Sequence, residues 1–266
     1  MPPTPNSAIN PEVAGWRELV LPREHGSWSL ALEPLALGLL VAPSWTGAML
    51  GVAVLAAYFL RRPGRLVWTA DTAASRTAAL GWVVKLVLLA AVALLAAIER
   101  GGIFPLVLLG PAAIAGGLFA WFDLRGAARV VAAEVAGASA FALIPAGVAG
   151  FAGWSTPASF ALAAVMLART VPAILVVRAC LRTRKGEEVS LALPLFLSSA
   201  ALVVTGVLAA RGLAPWIAVI ACGVLMVRAS ALLVWPQPEW RARQIGLFEA
   251  AVGVLFVLAV GLAWRA

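Results

Sequence analysis

The sequence predicts an all-α fold, a polytopic transmembrane helical bundle of about nine spans, and three observations carry that reading. The 266 residues are 63% hydrophobic and 12% charged, with a mean hydropathy of +0.98. Soluble domains carry about 25% charged residues, so the chain lies outside that class. Apolar stretches near the length of a bilayer crossing recur along the chain, and the basic residues fall between them. Lipid offers the backbone no hydrogen-bond partners, which selects helices. The alternating dyads of an outer-membrane barrel are missing from these Ala/Leu/Val runs.

The segments fall at 27–43, 45–60, 80–98, 103–120, 131–150, 158–178, 191–210, 213–234 and 245–264. The first follows Arg23-Glu24-His25-Gly26-Ser27-Trp28 and contains Glu33-Pro34, while the second is short and ends at Arg61-Arg62. Lys85 lies in the third, and the fourth ends before Asp123 and Arg125. The fifth holds Glu134 and a run of small residues through Gly137-Ala138-Ser139-Ala140, which permits close helix packing. Pro172 in the sixth removes a backbone donor, bends the helix and frees a carbonyl. The seventh is uncharged, and the eighth and ninth carry Arg228 and Glu249.

The loops set an orientation. The leading tail and the loops after segments two, four, six and eight hold 14 of the 20 basic residues. The opposite loops and the C-terminus hold three, Arg100, Arg211 and Arg265, and Lys85, Arg169 and Arg228 lie within segments. Basic loops stay on the cytoplasmic side, so the N-terminus is expected inside and, with nine spans, the C-terminus outside. Residues 1–22 read as a flexible cytoplasmic tail without the apolar core of a signal peptide, and residues 23–266 as one transmembrane domain. The net charge of +8 is assigned to topology and headgroup contact, not to nucleic acid. Cys180 and Cys222 fall at different depths, which argues against a disulfide, and one His with two separated Cys argues against zinc or haem.

Ionisable groups within spans normally face partners or water, because an exposed charge at bilayer depth costs about 2.5–3.5 kcal/mol on insertion scales. Glu33, Lys85, Glu134, Arg169, Arg228 and Glu249 form such a set, all toward the cytoplasmic half or the midplane. One reading is a hydrated cavity for a polar or anionic head group, with Arg169 at its deep end. The other is structural, with three acids pairing three bases to hold the helices in register. Arg178 and Arg182, one turn apart, present guanidinium forks suited to phosphate or to headgroup anchoring. His25 and Trp28, three residues apart at a helix start, project to one side, and an imidazole there is fit for proton transfer or for hydrogen bonding to phosphate.

Arg23-Glu24-His25-Gly26-Ser27-Trp28, with Glu33-Pro34 and Gly38 beyond it, resembles the YwiC-like family of bacterial integral membrane proteins. Ala168-Arg169-Thr170-Val171-Pro172 through Arg178, and Glu134 with Gly137, look like further shared stretches, extending the resemblance over 22–266. It implies a bacterial inner membrane and assigns no activity. In architecture the chain is also similar to the UbiA superfamily of intramembrane prenyltransferases. Shared features are nine helices, an inside N-terminus, long cytoplasmic loops after helices two and six, and Arg62-Pro63-Gly64 ahead of Asp71. That resemblance implies Mg²⁺ and an isoprenyl diphosphate held by two aspartate-rich motifs. Neither motif is present, and the chain has two aspartates, Asp71 and Asp123. Asp71 with Glu187 or Glu188 are the carboxylates left to hold Mg²⁺ against a diphosphate.

The leading expectation is a cytoplasm-facing intramembrane pocket for a lipidic or phosphorylated ligand, such as an isoprenoid. In it Arg169, Arg178, Lys85, Trp28 and Glu33 bind, and His25 and Glu134 are the acid–base candidates for any catalysis. The alternatives are a transporter of a small anionic solute and a non-catalytic factor for assembly of a membrane complex.

Overall fold

Backbone donors and acceptors in so apolar a chain must be satisfied within it, and helices do this throughout. The computed structural model describes residues 19–21, 25–235 and 242–265, with side chains starting at 28 in the first helix and 243 in the last. The expected tail therefore lies almost wholly outside the described residues, as does the side chain of His25. The helices are α1 (His25–Val41), α2 (Trp45–Thr69), α3 (Ala73–Gly101), α4 (Gly110–Leu124), α5 (Val131–Ala142), α6 (Ile144–Phe151), α7 (Thr156–Thr183), α8 (Ala192–Ala210), α9 (Trp216–Val234) and α10 (Ala242–Arg265). A 3₁₀ turn, Phe104–Leu109, leads directly into α4, and no strand occurs among the described residues. Taking the turn with α4, and α5 with α6, gives nine rods that coincide with the nine apolar segments.

Among the described residues seven rods are long and apolar enough to cross a membrane, and the protein is an all-helical membrane protein. The exceptions are α1, whose apolar part is short, and α2, which turns basic after Leu60. Two connections differ from the sequence reading. Residues 61–69 continue α2 through Pro63, so the first of the expected long loops is largely helix, and residues 179–183 continue α7, which leaves 184–190 as the connection. A helix does not end where lipid ends; it ends at a cap. Thr72 supplies one, its hydroxyl accepting the Ser75 N–H at 3.2 Å to start α3. The third difference is a break in the fifth segment at Leu143. Pro145 has no N–H to continue α5, and it opens α6 from within the first turn, where no donor is needed.

α7 is the axis of the fold, packing against α5, α6, α8 and α9, with α1 and α10 closing over it. The largest core cluster joins Leu37 of α1, Leu162, Val165 and Met166 of α7, Cys222 of α9, and Val257 and Val260 of α10. The short α6 is buried along almost its whole length between α1, α2, α7 and the 3₁₀ turn. Its glycines allow this: a Cβ on Gly147 would overlap Leu109, and one on Gly150 would overlap Leu108. By contrast α3 leans chiefly on α2, and α4 on α5, leaving Leu88, Val92, Leu95 and Ile114 exposed as a lipid-facing surface.

The close approach of α6 makes a direct test. Gly147→Ala is expected to destabilise the bundle by about 1–3 kcal/mol through overpacking. Gly117→Ala, at an exposed α4 position with open space around it, is expected to stabilise by about 0.5–1 kcal/mol through helix propensity. Denaturant titration in detergent micelles, followed by circular dichroism, compares the two.

Candidate functional site

A guanidinium stays charged at any physiological pH, so a buried arginine dictates what must surround it. Arg169 stands at the middle of α7 and is 4% exposed. Its Nη2 lies 3.2 Å from Oε2 and 3.4 Å from Oε1 of Glu33, the buried acid in the middle of α1. The same nitrogen donates to the Glu249 carbonyl of α10 at 3.1 Å. Ser29, one turn before Glu33, adds a hydroxyl hydrogen bond to the carboxylate. The Glu249 side chain turns the other way and pairs with Arg228 of α9. Four helices therefore meet in a chain of two acids and two bases with no net charge.

The crossing of α1 and α10 depends on Gly253, one turn after Glu249, because a Cβ there would overlap the Glu33 carboxylate. The quartet is not saturated. Nε of Arg169, Nε of Arg228, Oε2 of Glu249 and Oγ1 of Thr170 are buried without a hydrogen-bond partner. Both arginines line one cavity of about 20 Å³ between α7, α8 and α9, together with Ser198, Cys222 and Pro172. That is room for about one water molecule. Ala168 also lines it, and its carbonyl lacks a helical donor because Pro172 has no N–H.

A second cluster lies nine residues further along α7, roughly 13 Å away along the helix axis. Arg178 pairs with Glu134 of α5 at 2.7 Å and donates to the Arg129 carbonyl at 2.9 Å. At the same end of the bundle Arg61 of α2 forks onto Asp123 of α4, with both bonds at 3.2 Å. Arg62 donates to the Leu21 carbonyl.

The sequence candidates thus divide. Glu33 and Arg169 meet, and Glu134 and Arg178 meet, as two separate pairs. Lys85 joins neither; it lies on the exposed face of α3 with its ammonium 4.9 Å from the Trp82 ring. Trp28 belongs to an aromatic cluster, 6.2 Å from Tyr58 and 5.5 Å from Phe59, with Phe141 behind Tyr58. Asp71 and Glu187 are exposed. Glu187 is engaged by Arg182 at 2.6 Å, which holds its carboxyl below the usual carboxylate value. That preference acts at neutral pH and fades as pH falls through the lowered value. Among the described residues no three His, Cys, Asp or Glu gather as a metal site. Arg228 and Glu249 earned notice in the sequence only as charges within spans. Gly253 and Ser198 had no signal, since nothing local marks a glycine as the crossing point of two distant helices.

Residues 21–148 match the YwiC-like protein family. No curated protein and no solved structure matches the chain. The matched region runs from the approach to α1 into α6, and so contains Trp28, Glu33 and Glu134. Arg169, Arg228 and Glu249 lie beyond it, as does the 168–179 stretch. The buried quartet is therefore assembled from both sides of that boundary.

Removing one member of a buried pair is costly because it strands the other. Arg169→Met is expected to destabilise by about 3–5 kcal/mol. The double variant Glu33→Leu/Arg169→Met is expected to recover part of that loss, because no charge is left alone at that pair. Unfolding midpoints of the two single variants and the double variant complete the cycle. A strictly additive result would mean that the pair is not coupled.

Proposed function

We propose that this is a multi-pass protein of a bacterial inner membrane whose interior binds an anionic group, the head group of a phosphorylated lipid or a small anionic solute, entering from the cytoplasmic side. The observation that carries this is the cavity that Arg169 and Arg228 share; each guanidinium also keeps a buried Nε without a partner. Guanidinium donors without partners are the complement of phosphate or carboxylate oxygens. The excess of basic residues in alternate loops supports an inside N-terminus and an outside C-terminus. On that orientation the exposed Arg65, Arg76 and Arg125 lie at the cytoplasmic end and draw anions toward it.

Transport of a small anion is favoured as the second reading by one feature. The site is shared among α1, α7, α9 and α10, so a shift of any one of these helices changes the arginine environment. The reading uses no metal: Asp71 and Glu187 are exposed, and Glu187 is already paired. Nor does it assign an acid–base role to Glu134, which Arg178 holds.

Native mass spectrometry after mild purification tests the site. Wild-type protein is expected to retain anionic phospholipid, or to be stabilised against heat by sulfate over chloride at equal ionic strength. Arg169→Gln is expected to lose either effect at least tenfold. Equal retention and equal stabilisation in both proteins would remove Arg169 as the anchor.

A further inference from the structure

We infer that the buried site takes up one proton with each anion it binds, and that Glu249 is where the proton goes. This rests on the anion site proposed above. Arg169 and Arg228 each stand against a carboxylate, so the quartet is neutral as it stands. An entering anion makes the interior net negative, in surroundings where an uncompensated charge is expensive. The arginines cannot restore balance, since they hold their protons throughout the accessible range. Only Glu33 or Glu249 can, by becoming a neutral acid.

The geometry separates these two. Glu33 is held by both oxygens against Arg169 and by the Ser29 hydroxyl, under the backbone of Gly253. Glu249 keeps one oxygen on Arg228, while Oε2 is buried with no partner. The helices packed on α10 face Glu249 with Glu33 from α1, Arg169 and Cys180 from α7, and Arg228 from α9. An anion in the cavity competes with Glu249 for Arg228, which lines that cavity. As the ion pair breaks, a buffer acid in the water on the basic side gives up its proton to Oε2, leaving its conjugate base in solution and a carboxylic acid at Glu249. One anion and one proton enter, no bond other than the new O–H forms, and the net charge stays at zero.

The probes are dimethyl phosphate and dihexanoyl phosphatidylglycerol, which carry the same phosphodiester free and on a lipid. Neither titrates near neutrality, so any proton taken up belongs to the protein. Titration calorimetry in two buffers of different ionisation enthalpy counts protons per anion bound. Wild type is expected to take up about one proton, and its Kd to weaken tenfold per pH unit once Glu249 is ionised. Glu249→Gln, a mimic of the protonated acid, is expected to bind with no proton uptake and with a Kd flat in pH. Glu249→Gln and Glu33→Gln each leave the quartet one charge positive, so the residue is identified in charge-conserving variants. The carboxylic-acid C=O infrared band that appears on anion binding is expected to move in Glu249→Asp and to stay in place in Glu33→Asp. All variants are first compared with wild type in thermal unfolding.

Binding by wild type with no proton uptake would overturn the coupling and leave the anion site standing. A band that moves in Glu33→Asp and stays in place in Glu249→Asp would overturn the choice of residue. Failure of both probes to bind would overturn the anion site and the coupling together. Which probe binds distinguishes a lipid head group from a free solute.

Discussion

The position of Arg169 governs the architecture around it. A permanent cation halfway along the central helix needs an anion and a carbonyl within reach. It takes the first from α1 and the second from α10. These two helices are almost at opposite ends of the chain, and they close together only because Gly253 offers no side chain at the crossing. Gly261, two turns later, repeats the device against Leu40. A single guanidinium thus draws the first and last helices onto the seventh.

Buried ion pairs are weak evidence for stability, because well-packed apolar residues of the same volume often hold a fold as well or better. The quartet is therefore better read as specifying an arrangement than as strengthening one. It also leaves three of its polar atoms unsatisfied, which a purely structural lock has no reason to keep. A cluster built only for register would be closed; in this one both Glu33 oxygens are held by Arg169, while Nε of Arg169, Nε of Arg228 and Oε2 of Glu249 stay open.

How much the sequence disclosed differs by scale. Nine helical segments could be read from apolar length alone, because the demand on backbone hydrogen bonds in lipid leaves the chain few choices. Pro145 splits the fifth segment in a way that hydropathy cannot register, since the apolar run continues unbroken across it. The helical extensions of α2 and α7 were hidden for the opposite reason: polarity marks the edge of the membrane, not the end of a helix. Within the site, the charges of Glu33, Arg169, Arg228 and Glu249 stood out at once as expensive, but their pairing did not. Lys85 is equally charged and equally within a span, yet it lies on an outer face with its ammonium over Trp82. From Lys85 a long flexible stem can carry the charge to the interface. Cost per residue identifies candidates; only the helix face identifies partners, and the small residues spread round these helices leave the face undefined.

The small size of the cavity bears on how the site works. About 20 Å³ admits a water molecule but no polyatomic anion, so a ligand must displace something. Arg169 is tied to the α10 backbone through the Glu249 carbonyl, and to α1 through Glu33, so moving it would disturb two helix crossings. The Glu249 side chain, in contrast, makes its direct ion pair with Arg228 and hydrogen-bonds no backbone group among the described residues. A rotation about its own bonds frees the Arg228 guanidinium without breaking the backbone contact that anchors α10. The element most easily moved is thus also the one whose charge must be neutralised, since Glu249 reaches the cavity only through its pair with Arg228, which lines it.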